Sequence, residues 1–238
     1  MNPSLSSCVP PVLRPSLYPT SSSSSVSSLG PLTSPSSNPH PSVYGILLLY
    51  SILTQIPSPL SSSQFYPLLN TPPPVLPHMR ALPYYIDGDV RITHANAIMR
   101  HLARTRPLRG DEKERIRVDM IENQANDFRN TFIRLCYLDF NMQKHRYLEA
   151  LPQTLKQFSQ FLGSNPWFAG DKITFVDFIM YELLDQHLQL SDICLKDVKN
   201  LQEFQKRFES LEPIQRYMSS PRFMRSPINN KMAKFGTQ

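Results

Sequence analysis

Apolar side chains recur at helical spacing through most of the chain beyond residue 110. Ile121, Ala125, Phe128, Phe132 and Leu135 step by four, three, four and three residues, the rhythm of one helix face. Asp111-Glu112-Lys113-Glu114 puts acids at the start of that helix, where the macrodipole favours them. Leu148, Leu151, Leu155, Phe158 and Leu162 repeat the pattern. Pro152 then marks either the first turn of this second helix or a kink in it, and Gly163 is suited to end it. A third helix runs from Phe175 to about Gln189, with Phe175, Phe178, Ile179, Leu183 and Leu184 forming a stripe wide enough for a central core position. Its start is marked twice: Thr174 and Asp177 have capping-box spacing, and Ile173 and Phe178 can form a hydrophobic staple across the cap. Leu201 to Phe208 and Pro213 to Met218 predict two shorter helices, and Met224 to Gln238 shows no strong periodicity.

Upstream of residue 110 the period changes. Leu82-Pro83-Tyr84-Tyr85-Ile86 reads as a strand, Asp87-Gly88 as a turn pair, and Asp89 to Ile92 as the returning strand. Asn96 to Arg104 then reads as a helix with Ile98 and Leu102 on one face.

Composition divides the chain. Residues 1–80 are rich in Ser and Pro, and their only charged side chains are Arg14 and Arg80. Pro72-Pro73-Pro74 and its like forbid regular ladders, and the segment offers little apolar area against the entropy of ordering it. Most of it is therefore expected to be disordered. The apolar island Tyr44 to Ile56 is shorter than the ~20 residues that span a bilayer. A short strand or helix docked on the remainder of the chain is the simpler expectation for it, and no membrane role is expected.

The net charge of +6 comes from dispersed Lys and Arg, which is weak ground for a nucleic-acid partner. Cys8, Cys136 and Cys194 are widely spaced and fit no zinc pattern. Reduced thiols in the cytoplasm, with no metal, are the expectation.

Several segments carry a resemblance. Leu82-Pro83-Tyr84-Tyr85-Ile86-Asp87-Gly88, Ile92-Thr93-His94-Ala95-Asn96-Ala97-Ile98, Arg115 to Gln124, Pro166 to Asp177 and Asn230-Lys231-Met232-Ala233 are similar to segments of the mu-class cytosolic glutathione S-transferases. The resemblance covers about residues 81–238. It implies a mainly α fold: residues 81–105 as the second half of a thioredoxin-like α/β domain, 106–222 as the all-α domain, and 223–238 as a tail. It also implies a dimeric detoxifying enzyme that joins the glutathione thiol to small hydrophobic electrophiles, with glutathione as co-substrate and no bound cofactor.

By position, the resemblance implies that Leu82 presents its backbone to the cysteinyl part of glutathione and that Pro83 is the family's cis-proline. His94 and Ala95 stand where the family has Gln and Ser to hold the γ-glutamyl carboxylate. Asp127 matches the acid that reaches the γ-glutamyl amine of the neighbouring subunit, and otherwise reads as a solvated helix carboxylate. Tyr137 matches the tyrosine facing the electrophile, and otherwise reads as a core tyrosine. Asn229 and Asn230 replace an aromatic and a small polar residue, which implies a more polar acceptor pocket.

The family's thiol-activating Tyr-Trp pair has no counterpart: Trp167 is the only Trp, so no catalytic residue is assigned. The expectations are a transferase of weak or absent turnover, an exposed sheet edge along Tyr84 to Ile86, and, as the alternative function, a non-catalytic scaffold or ligand-binding protein. An interaction role for the Pro-rich segment ranks last.

Overall fold

The alternation around Asp87 does fold into a hairpin. In the computed structural model, which describes residues 64–66, 83–87, 89–105, 108–221, 223 and 225–237, strand β2 is Tyr84–Asp87 and strand β3 is Val90–Thr93. They pair antiparallel with Tyr84 opposite Thr93 and Asp87 opposite Val90. The expected exposed edge along Tyr84 to Ile86 is corrected by strand β1, Gln64–Tyr66, which pairs antiparallel with β2 through Gln64 and Ile86, Phe65 and Tyr85, and Tyr66 and Tyr84. Ser61-Ser62-Ser63 and Pro67 around this three-residue strand hide it in a low-complexity sequence. The other expectations for residues 1–80, the apolar island among them, lie outside the described residues.

Helix α1 is Ala95–Arg104 and buries Ile98, Met99, Leu102 and Ala103. Helix α2, Glu112–Tyr137, opens on a complete capping box. Asp111 Oδ1 accepts the N–H groups of Lys113 and Glu114, each at 2.9 Å, and Glu114 Oε2 accepts the Asp111 N–H at 2.7 Å. Gly110 leads into it at φ 78°, where a Cβ would stand 2.8 Å from the Cβ of Glu114. A side chain is thus excluded there twice, by backbone and by space.

Helix α3 is Phe140–Leu162, two turns longer at its start than the apolar pattern predicts. The run Asn141 to Arg146, polar except for the exposed Met142, conceals those turns because they are exposed on nearly every side. Pro152 is therefore interior to α3, not in its first turn, and its missing N–H takes one bond from the helix ladder. Helix α4 is Phe175–Leu190; helices α5, Lys199–Glu209, and α6, Glu212–Met218, follow.

Helix α4 is the axis of the core, and 13 of its 16 residues are buried. Its N-terminus is closed by the predicted capping box. Asp177 accepts the Thr174 N–H at 2.7 Å, the Thr174 hydroxyl at 3.1 Å and, from the loop before the helix, the Phe168 N–H at 2.8 Å. Burial pushes the Asp177 carboxyl up to about 7, against the pull of these hydrogen bonds toward the anion.

Near the other end of α4, His187 lies stacked on Phe128 with ring centroids 4.1 Å apart. Its Nδ1 is 2.6 Å from the Leu183 carbonyl, which can only accept, so Nδ1 carries the proton and Nε2 accepts from the Tyr147 hydroxyl at 2.7 Å. Burial drives His187 down to about 4 and keeps it neutral.

Candidate functional site

The carboxyl ends of β1 and β3, the start of β2 and the start of α1 meet at one end of the sheet. Pro83 is buried just before β2, and Thr93, paired to Tyr84, is the last residue of β3. The turn into α1 is made by His94, a non-glycine residue at φ 68° and ψ 124°. That conformation is costly for an L-residue and persists only where the surroundings dictate it. The first turn of α1 holds no acid, and the His94 side chain makes no cap hydrogen bond. The N–H groups of Ala95, Asn96 and Ala97 are therefore left without intrahelical acceptors, at the positive end of the helix dipole. Such a terminus suits an anion.

Ala95 adds no hydroxyl, so what it offers there is its backbone. Asn96 ties the site to the helical domain, its Nδ2 donating to Asn126 Oδ1 at 2.9 Å. The sequence singles out His94 for its side chain and Ala95 for its backbone N–H alone; the backbone conformation at position 94 is signalled by no residue type there. Leu82, and the bond it makes with Pro83, lie outside the described residues.

Helix α2 carries the other two predicted residues, and they do not converge. Asp127 is exposed and lies on the stripe of Ile116, Met120 and Asn123. Tyr137 is ten residues further along, or ~15 Å at 1.5 Å per residue, and points off a different side of the helix. Tyr137 is half-buried, and its hydroxyl accepts the Asn230 N–H at 3.4 Å. Burial pushes that hydroxyl above the usual tyrosine value.

The residues meeting Tyr137 come from the C-terminal stretch, which is fastened rather than loose. Lys234 N–H donates to the Cys136 carbonyl at 2.7 Å, and Asn229 N–H to the Gly236 carbonyl at 2.8 Å. Phe235 stacks on Phe140, and Ile228 joins Phe132, Leu135, Cys136 and Leu190 in a small second core. Gly236 sits at φ 71°, and a Cβ there would collide with Ile228.

This packing changes the reading of Asn229. It is buried, and its Nδ2 donates to the Phe235 carbonyl at 3.0 Å. Asn230 Oδ1 accepts the Met232 N–H at 3.0 Å. Both amides serve the fold of this stretch. Among the described residues no cluster of His, Cys, Asp or Glu could hold a metal ion, and no helix is long and apolar enough to cross a membrane.

The chain is similar to known proteins. Residues 126–221 match the family model "Glutathione S-transferase, C-terminal domain". The chain is 52% identical over 159 residues to Glutathione S-transferase Mu 3 of Homo sapiens, spanning 66% of this chain and 71% of that one. It has the same identity and coverage against Glutathione S-transferase Mu 5 of Mus musculus. Among solved structures, the pi-class glutathione S-transferase of Onchocerca volvulus superposes with a TM-score of 0.60 at 30% identity, over 64% of this chain and 76% of that one. The glutathione S-transferase Blo t 8 gives 0.61 at 27% identity, over 67% and 77%. With half of its residues shared across two-thirds of its length, the chain belongs to the mu class of the glutathione S-transferases, a family of transferases that use glutathione as co-substrate.

Proposed function

We propose that this chain binds glutathione at the sheet end beside α1 and transfers its thiol to small hydrophobic electrophiles. The observation that carries the reading is the strained His94 turn, which opens the α1 N-terminus next to Pro83 and Thr93 in a chain otherwise so similar to mu-class enzymes. A tripeptide extends at most ~10 Å, the width of two strand spacings. It can therefore reach from α1 across to β1, with its γ-glutamyl carboxylate on the Ala95 backbone, steadied by His94, and its cysteinyl part along Leu82 and Pro83.

Calorimetry with glutathione tests this. We expect weak binding, tightened about 10- to 100-fold in Ala95→Ser, because a hydroxyl adds a charge-assisted hydrogen bond of ~1.5–3 kcal/mol. No heat at millimolar glutathione in either protein would sink the proposal.

Thiol transfer requires a thiolate, and stabilising it needs a placed donor. The absence of a Tyr-Trp pair favours a second reading, a glutathione-binding protein with little turnover. An assay with a chloronitrobenzene separates the two, and the position it probes is residue 66, a tyrosine that pairs opposite Tyr84 at the same end of the sheet as Pro83. Turnover of a chloronitrobenzene that falls ~10²–10³-fold in Tyr66→Phe supports transfer. Glutathione binding without turnover supports the second reading.

Dimerisation belongs to the same proposal. Asp127 shares its stripe of α2 with Ile116 and Met120, large apolar side chains 65% and 58% exposed. A second subunit covering that stripe would receive Asp127 beside its own glutathione. Sedimentation of a monomer at all concentrations would remove that role. A cytoplasmic setting, where Cys136 and Cys194 stay reduced, completes the reading.

A further inference from the structure

Between α3 and the turns of residues 191–198, which join α4 to α5, lies a pocket of about 270 Å3. None of the residues argued above for glutathione lines it. Leu151 and Leu155 of α3 and Val198 of the facing turns are buried in its walls, and Ile193 stands at its mouth with 60% of its surface exposed. Pro152, interior to α3, lines it as well. A proline there has no N–H for the carbonyl four residues back. That carbonyl belongs to Leu148, which is also in the lining. Among the described residues, no side chain and no N–H from outside the helix takes the place of the missing donor. An acceptor is thus left open in walls that are otherwise apolar. Lys196 and Asp197 at the edge are both exposed and carry opposite charges. Burial pushes the Cys194 thiol up to about 11, so it lines the pocket uncharged at neutral pH. The Ser191 hydroxyl makes no hydrogen bond among the described residues.

We propose that this pocket binds a small, neutral, apolar alcohol or phenol, its hydroxyl donating to the Leu148 carbonyl and its body lying against Leu151, Leu155 and Val198. Three observations converge on that chemistry. An unbroken helix would present no free acceptor on this face; here a ligand without a donor would bury the Leu148 carbonyl unpaired, at the cost of its lost hydration. Opposite charges at the edge leave no net field to draw an ion, and the open carbonyl repels an anion. A hydroxyl also carries an acceptor, which the Ser191 hydroxyl can serve and which an ammonium lacks. The volume lies just under the range for drug-sized ligands and suits a body of about ten heavy atoms.

The test is a titration of thymol into the full chain carrying labelled Ile, Leu and Val methyl groups, followed by NMR at neutral pH with and without glutathione. Failure of glutathione binding leaves this titration intact, so the two proposals fail separately. We expect shifts at Leu151, Leu155, Ile193 and Val198 that glutathione does not abolish. The methyl ether of thymol, which has no donor, should bind about three- to tenfold more weakly, the loss of one neutral hydrogen bond. Cumate, a carboxylate of similar size, should bind more weakly still. Pro152→Ala restores the N–H that closes on the Leu148 carbonyl, and it replaces a helix breaker with the best helix former, so the variant folds. In that variant thymol and its ether should bind alike. Equal binding of the two by the wild type overturns the proposal, as does a preference for thymol that survives Pro152→Ala. Shifts confined to the neighbourhood of Tyr137 and Asn230 would also overturn it.

Discussion

The chain contains the same helix-start device twice, and the two copies live in different solvents. At α2, Asp111 and Glu114 satisfy each other's N–H groups on an exposed surface. At α4, Thr174 and Asp177 do so in complete burial, and Asp177 takes a third donor, the Phe168 N–H, from the preceding loop. Water can replace any bond lost at the first box and none at the second, where an unmade bond costs the full desolvation of its donor. A cap motif read from sequence therefore says where a helix begins but not what it is worth. Worth follows from what the surrounding chain covers.

The harshest way to break this comparison is Asp177→Ala. Two buried N–H groups and one hydroxyl would lose their acceptor, each at ~1–3 kcal/mol, so the denaturation midpoint should fall by the equivalent of about 3–5 kcal/mol. A loss below about 1 kcal/mol would show that water reaches the box.

The next test uses the opposite end of α4, where the buried ionisable group is a base. His187 is held down to about 4 in the fold, against an ordinary value near ~6.5. Between these values the unfolded chain binds a proton that the native chain refuses. The contribution of neutral His187 is thus complete above pH ~6.5 and drains away as the pH falls toward 4. The stability difference between wild type and His187→Gln should shrink by about 3 kcal/mol from pH 7 to pH 4. Comparing the pair cancels the opposite trend of Asp177, whose raised carboxyl binds its proton more readily in the fold. A difference constant with pH would mean that His187 is reached by solvent.

Thr174→Ala should cost roughly 0.5–2 kcal/mol, the ordinary range for a cap, because the Thr174 N–H keeps its acceptor in Asp177. Asp111→Ala should have the smallest effect of the four. The wild-type advantage over Asp111→Ala should also fade as the pH drops, since the hydrogen bond from Glu114 N–H holds the Asp111 carboxyl below its usual value. Chemical denaturation at pH 7 and pH 3.5 reads both, and an Asp111 effect equal to that of Asp177 would remove the distinction.

The sequence revealed the helices because their core faces repeat: α2, α4, α5 and α6 lie where Ile121, Phe178, Leu201 and Pro213 put them. It misled at the start of α3, whose first turns bury little and so carry no apolar stripe. It hid β1 as well, since three residues are too few to establish an alternation against a Ser- and Pro-rich background. The site divides in the same way. His94, Ala95, Asp127 and Tyr137 were legible as residue types at matching positions. The left-handed turn at His94 is a property of the backbone that the sheet and α1 impose together. The packing role of Asn229 was not legible, because its amide answers the Phe235 carbonyl in a stretch that has no repeating pattern.

The fastening of residues 228–236 onto α2 has a practical consequence. A stretch without apolar repeat is thus part of the packed fold, and the Tyr137 hydroxyl accepts the Asn230 N–H from it. Phe235→Ala would remove the stack on Phe140 and expose Ile228 without touching the α1 end of the sheet. If Tyr137 faces the electrophile, that variant should change how bulky electrophiles are handled while glutathione binding stays the same.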